Sequence, residues 1–343
     1  MRLIFELNHP KHYYQFKFVM RRLKEHGHEC LVLARDKDVL LDVLKEEDVP
    51  YELFGRHGKK MSEKIFGTLS IIRNYRRIVS RFKPDVIVSK ASLYGCYCAK
   101  KYGCKSVIFP DSEIVKLTNK YVVPLATIVV TPDTFGLDYG EKHIRIKGVF
   151  EDCYLAPSVF TPDSHVVEQY GLKRPYAVFR FVGWFANHDV NNNGFTPEEK
   201  KQLVDAVQPY MHVYLSSEKE LPAELEQYRL PIPASLIHSV LSEADLYLGD
   251  SQTMATEAAL LGTPAIRSNS FVGEHDMTNF KVLEGKYGLL HNIKEYNEVL
   301  SVVTDYAKVS RKEEWKTKRC SYYQEVGDSN EVIVGILEGL KSS

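Results

Sequence analysis

No stretch of this sequence reaches the roughly 18 consecutive apolar residues that a membrane-crossing helix requires. The opening MRLIFELNHP enters a strand pattern at once, without the apolar core of a secretory signal. Charge of one sign is not in excess either. Lys plus Arg and Asp plus Glu number 45 each, so no global field favours nucleic acid and any basic partner site must be local. The six cysteines, Cys30, Cys96, Cys98, Cys104, Cys153 and Cys320, form no CxxC and no zinc-ligand spacing. Free thiols in a reducing cytoplasm are the expectation. Glycine is absent from Met1 to His26. A dinucleotide enzyme would carry GxGxxG there, after its first strand, so hydride transfer is set aside. No GxxxxGK followed by Ser or Thr occurs anywhere, which sets aside phosphoryl transfer of the P-loop kind.

What remains is an ordinary globular mixture, 44% apolar and 26% charged over 343 residues, enough for two sizeable cores. Short β-rich runs alternate with helical patterns: RLIFEL, a helix from about Tyr13 to His26 ended by Gly27, ECLVLAR, YELF, DVIVSK, SVIFPDS and finally TIVVTP. Such alternation builds a doubly wound parallel sheet. Near Tyr176 the pattern restarts with YAVFRF, HVYLSS, DLYLGD and PAIR, and VFEDCYLAPSVFTPDSHV before it reads as a linker. The predicted fold is α/β, two Rossmann-like domains facing a cleft. Residues 1–156 form the first domain and 157–327 the second, with 328–343 folding back over the first.

In open α/β sheets ligands bind beyond the carboxyl ends of the strands, so the residues after each strand are the informative ones. DSQTMATEAALLGTP follows DLYLG. Asp250 or Ser251 caps a helix whose Gln252, Thr253 and Met254 amides lack intrahelical partners, and with the helix dipole these make an anion seat. Glu257 stands four residues beyond Thr253, on the same face and about 6 Å further along the axis. A carboxylate there suits a hydroxyl rather than a phosphate, and ribose is joined to diphosphate at about that separation. A capped amphipathic helix whose Glu257 finds a backbone or Arg partner would show the same spacing.

This stretch, with NHPKHYYQF (8–16), FPDSEIVKLTN (109–119), RFVGWFANHDVNNNG (180–194) and YLSSE (214–218), resembles GT-B fold sugar-nucleotide enzymes. More closely, it resembles the prokaryotic domain-of-unknown-function family 354, through nearly the whole chain. The resemblance implies the GT-B fold and a nucleotide-sugar donor, with Glu257 on the ribose and Ser251, Thr253 and Met254 seating the phosphates. It implies no particular reaction.

Other strand ends add candidates. Arg180 could grip a diphosphate through its planar fork, with His188 and Asp189 as a further donor and acceptor; a surface loop with a structural Arg–Asp pair is the plain alternative. Ser216, Ser217 and Glu218 end the next strand. In similar enzymes the backbone near the start of the helix before the key strand reads the base, which makes Leu236 to His238 candidates. On the first domain, Asn8, His9 and His12 lie on the acceptor side. His9 is a candidate general base unless it caps the helix that Pro10 opens. Asp111 and Glu113 are the rival bases, and their alternate spacing on an extended segment points both to one side. The stretch 56–83 carries nine Lys or Arg against one acid, Glu63. Interleaved with apolar residues, it can lie on an anionic membrane surface, or pack on a sheet with its basic face in water.

The expected function is a metal-independent glycosyltransferase, moving a sugar from a UDP-linked donor to a saccharide or lipid-linked acceptor in envelope or capsular polysaccharide synthesis. The nucleotide sugar is a substrate, so no cofactor is expected; cations and helix amides would hold the departing diphosphate, so no metal is expected. Nucleic acid is not an expected partner, because no recognised module accompanies the basic stretch. A nucleotide-sugar 2-epimerase shares the fold, but its usual acid after the fourth strand is missing from VSKAS (88–92). A non-catalytic nucleotide-sugar-binding subunit is the third reading. The expected place is the cytoplasm, with the inner face of the membrane as a docking surface for 56–83.

Overall fold

A computed structural model describes residues 1–36, 39–56, 61–113, 115–182, 194–217, 221–274 and 276–340. The chain divides into two compact units, Met1–Tyr154 with Asp328–Ser343, and Leu155–Gly327. Both are α/β, each with one wholly parallel sheet among its described residues.

In the first unit the strands are β1 (Arg2–Leu7), β2 (Glu29–Asp36), β3 (Tyr51–Arg56), β4 (Val86–Ser89), β5 (Lys105–Ile108), β6 (Ile128–Pro132) and β7 (His143–Ile146). Their order is β3-β2-β1-β4-β5-β6-β7. The strand series does not close at TIVVTP: β7 adds an edge strand whose HIRI pattern is only half buried. Between β1 and β2, Pro10 opens the helix Pro10–Glu25 three residues ahead of the expected Tyr13 start. A proline costs nothing in that first turn, where its missing N–H has no partner to lose. Gly27, at φ +80°, lets the chain turn out of it.

The carboxyl-terminal helix Ser329–Gly339 belongs to this unit. Its Ile333, Val334 and Leu337 share the core with Phe16, Val19 and Leu23 of the first helix. Asp328 caps it and pairs with Arg22 at 2.7 Å, and Asn330 Nδ2 donates to the Cys153 carbonyl at 3.0 Å. The stretch expected as a linker is not one in its first half. Val149 to Ala156 are all buried, and the boundary between units falls inside the helix Asp152–Leu155. Its apolar residues Val149, Phe150, Cys153 and Leu155 outweigh the Pro and Ser that follow.

The second unit holds β8 (Tyr176–Phe181), β9 (His212–Ser217), β10 (Leu246–Gly249), β11 (Ala265–Arg267) and β12 (Leu290–Asn292), ordered β12-β11-β10-β8-β9. Register aligns Ser216, Arg180, Gly249, Arg267 and Asn292 in one row across the carboxyl ends. The row is crowded at Gly249, where a Cβ would lie 2.6 Å from the Arg180 carbonyl oxygen, so only hydrogen fits. Chain order reverses between β1 and β4 in one sheet and between β8 and β10 in the other. Those are the switch points where an α/β sheet opens a crevice for ligand.

Candidate functional site

At the second unit's switch point the helix Gln252–Leu260 follows β10 directly. Ser251, not Asp250, is its cap: the Ser251 hydroxyl accepts from the Met254 N–H at 3.3 Å. The Met254 amide is therefore already used, which leaves only the Gln252 and Thr253 amides of the three expected to seat an anion. Asp250 does different work. It is 1% exposed, and its carboxylate accepts the Val182 N–H at 2.8 Å while its own N–H donates to the Arg180 carbonyl. It ties the end of β8 to the end of β10. Asn269 Nδ2 donates to the Asp250 carbonyl at 3.0 Å, fastening the segment after β11 to the same point.

Glu257 is buried in the body of this helix, and its Oε1 lies 3.2 Å from His238 Nε2. Two residues singled out separately in the sequence, one for the ribose and one beside the base, thus meet. His238, in the helix Ile237–Glu243, also packs edge-on against the Phe160 ring at 5.9 Å. Arg180 Nη1 donates to the Ser216 hydroxyl at 2.9 Å. Arg180, Ser216, Ser217, Ile237 and Met254 line one recess of about 400 Å³, together with the apolar Leu215, Leu230 and Ile232. A second arginine lines it that the sequence reading missed: Arg229, held by Glu226 through Nη2 at 2.9 Å. Arg229 reaches the site because Leu230 N–H donates to the Leu215 carbonyl, extending the sheet beyond β9. In the same row, Arg267 is fully buried, doubly bonded to Asp276 at 2.8 and 2.9 Å and stacked 3.6 Å from the Phe280 ring. His188, Asp189 and Glu218 lie outside the described residues.

The first unit's switch point gathers a different set. His9 is the cap of Pro10–Glu25, its Nδ1 accepting the Lys11 N–H at 3.1 Å. That nitrogen is committed to the backbone, which argues against His9 as a base acting through it. His12 Nδ1 accepts the Asn8 N–H at 3.2 Å, and burial, followed by the nearby Lys90 charge, pushes this histidine down to about 3. It is neutral at any ordinary pH. Asn8 donates through Nδ2 to Glu6 at 3.1 Å, while its buried Oδ1 has no partner among the described residues. Glu6, 1% exposed in β1, also accepts from the Tyr75 hydroxyl at 2.9 Å, and burial drives its carboxyl upward.

Asp111 and Glu113 do not act as a pair. Asp111 reaches toward the end of β4 and lies 3.4 Å from Lys90 Nζ. Glu113 turns to the other neighbour, accepting the Gly136 N–H beyond β6. Lys90, within VSKAS, carries no signal of its own in the sequence; in the structure it is buried beside Asp111. Lys11 Nζ and Glu151 form a neighbouring pair at 2.8 Å. Of the basic stretch, 57–60 and the side chains of 56 and 61–69 lie outside the described residues. The helix Met61–Phe82 exposes Arg73 and Arg77, and Arg81 pairs with Glu52. Among the described residues no helix is long and apolar enough to cross a membrane.

Comparison with known proteins places the architecture. The solved UDP-GlcNAc 2-epimerase from Neisseria meningitidis bound to UDP-GlcNAc superposes with a TM-score of 0.70 at 12% identity, covering 99% of this chain and 100% of that one. MurG of Acinetobacter baumannii does so with 0.62 at 13%, covering 99% and 100%. By sequence, the chain is 25% identical over 307 residues to a Listeria welshimeri UDP-N-acetylglucosamine–N-acetylmuramyl-(pentapeptide) pyrophosphoryl-undecaprenol N-acetylglucosamine transferase, 80% of each chain. The fold is therefore GT-B, two Rossmann-like domains. Residues 2–319 match the family described as protein of unknown function (DUF354), and the chain belongs to that family.

Proposed function

We propose that this protein is a GT-B glycosyltransferase that takes a sugar from a UDP-linked donor to a saccharide or lipid-linked acceptor in envelope or capsular polysaccharide synthesis. The observation that carries the reading is the second unit's switch point. Met254 of the capped helix start and Arg180 fixed by Ser216 line one recess with apolar neighbours, and the same helix carries a buried Glu257 held by His238. The Gln252 and Thr253 amides and Arg180 take the diphosphate, Glu257 takes the ribose hydroxyls, and the apolar lining takes the base. In the displacement the acceptor oxygen bonds to the anomeric carbon as the bond to the diphosphate breaks. The nucleoside diphosphate leaves with the electron pair, against amides and a guanidinium that are already in place.

Asp111 is the base this reading assigns to the first unit. Burial pushes its carboxyl up, but Lys90 and Lys11 outweigh that and hold it at about 2. It stays ionised throughout the working range and accepts the proton late, once the attacking oxygen has become acidic. Exposed basic residues of 56–83 suit docking to an anionic lipid surface that presents the acceptor. Calorimetric titration with a panel of nucleotide sugars, followed by assay of nucleoside diphosphate release with and without saccharide acceptors, tests the proposal. Release coupled to a new glycoside is expected. An inverted C2 centre would replace transfer by epimerisation, and binding with no turnover would make the chain a carrier subunit.

A further inference from the structure

Lys90 is an odd residue to find at the end of a central strand. It is 8% exposed, and its ammonium group meets three different partners: Gln15 Oε1 at 2.8 Å, the Phe150 ring at 4.0 Å and Asp111 Oδ2 at 3.4 Å. Two of these, Gln15 and Phe150, are themselves buried, at 0% and 3% exposed. They fix where the charge sits. The third, Asp111, keeps 41% of its side chain in solvent, so one face of its carboxylate is held while the other is open.

We propose that Lys90 is the positioning residue of the acceptor side, a buried ammonium that aims the Asp111 carboxylate at the acceptor hydroxyl. This rests on the sugar-transfer reading above. Two further observations favour it over a simple stabilising pair. Gln15 Nε2 is buried with no partner among the described residues, a defect tolerated beside Lys90 and nowhere relieved. Ala91, next in the chain, sits at φ +145°, where a non-glycine residue strains the backbone. The turn that delivers Lys90 inward is thus kept against its own conformational preference.

The other titratable groups facing this cluster are Lys11, paired with Glu151, the neutral His12 and the thiol of Cys153. Lys11 lowers Asp111 as well, but less than Lys90 does. Lys90 itself is brought down to about 8 by burial, with Asp111 opposing. It carries its charge at neutral pH and starts to lose it in mild base.

The test uses the full chain labelled with carboxyl-carbon-13 aspartate, the Asp111 signal being assigned with Asp111→Asn. In the wild type the signal should hold steady until strong acid. In Lys90→Met the midpoint should rise to about 4, the ordinary range for aspartate. Lys90→Arg should keep it low. With UDP-GlcNAc as donor probe, Lys90→Met should lower kcat at neutral pH by about 100-fold, the scale of a catalytic group displaced by about 1 Å, with donor KM little changed. Lys90→Arg should restore part of that loss. Gln15→Leu, which keeps the charge and removes its anchor, should lower kcat while leaving the midpoint low. If Lys90→Met does not fold, Lys90→Arg and Gln15→Leu carry the comparison. An unmoved Asp111 midpoint in folded Lys90→Met, or full kcat in Lys90→Met or Gln15→Leu, overturns the assignment. Absence of turnover by the wild type on every donor instead overturns the sugar-transfer reading, and the carboxylate titration still shows whether Lys90 governs Asp111.

Discussion

Replacing Glu257 with alanine separates the ribose from the diphosphate. The carboxylate is 8% exposed and held by His238, so it enters a complex already dry and oriented. A hydrogen bond between a charged group and a hydroxyl contributes about 1.5–3 kcal/mol in such surroundings. Losing it should weaken UDP by about 10–150-fold, at about 1.4 kcal/mol for each factor of ten. Alanine is the best helix former, and within the fold the substitution breaks one partly buried pair, so the melting temperature should stay near that of the wild type. Isothermal titration with UDP, UMP and inorganic diphosphate provides the controls. UDP and UMP should weaken together, since both carry ribose, and diphosphate should bind as before. If UDP affinity moves by less than about twofold, or diphosphate suffers as much as UDP, Glu257 is not the ribose ligand.

Arg180→Met should weaken UDP by about tenfold or more through loss of charge-assisted bonds while leaving uridine little affected; equal losses on both would place the arginine elsewhere. His9→Ala should remove a helix cap worth about 1 kcal/mol and lower the melting temperature while most turnover survives. A dead but fully stable variant would return His9 to the role of base. Asp276→Asn breaks the buried pair with Arg267 and should destabilise the second unit by about 3–5 kcal/mol in urea unfolding, and a loss under about 1 kcal/mol would show the site to be wet. His12 supplies a pH test. Its folded value, about 3, lies below the ordinary 6.5, so the unfolded chain takes up a proton that the folded chain refuses. Stability should therefore fall as pH drops from about 7 toward 3, by at most about 1.4 kcal/mol per pH unit from this group. His12→Gln should flatten that slope in thermal scans, and an identical slope refutes the neutral, desolvated histidine.

Much of the fold was legible because its strands are short apolar runs between helical periods. The strands that escaped, β7 and β12, are four and three residues long and half exposed. Neither carries enough apolar residues to stand out from a loop. On the site, position did the work: Ser251, Glu257, Arg180 and Ser216 all follow or end strands, and the sheet register brings Arg180 and Ser216 into one row. What stayed hidden depends on partners far off in the chain. Nothing near Glu6 announces Tyr75, sixty-nine residues on, and nothing near Lys90 announces Gln15, seventy-five back. A lone lysine after a strand reads as surface until the packing around it is known. The capping details misled for the opposite reason: Ser251 and Asp250 are equally good caps by type, and only backbone geometry chooses between them.

The return of Ser329–Gly339 to the first unit has a consequence for how the molecule is made. Residues 1–154 leave the ribosome without the helix that seals their hydrophobic face, and wait while 173 residues of the other unit are synthesised. During translation the second unit is the one that can finish first, although its first residue is made after Tyr154. A premature stop shortly before Asp328 would spare the second unit yet leave the first with Phe16, Val19 and Leu23 uncovered, a target for chaperones or proteases.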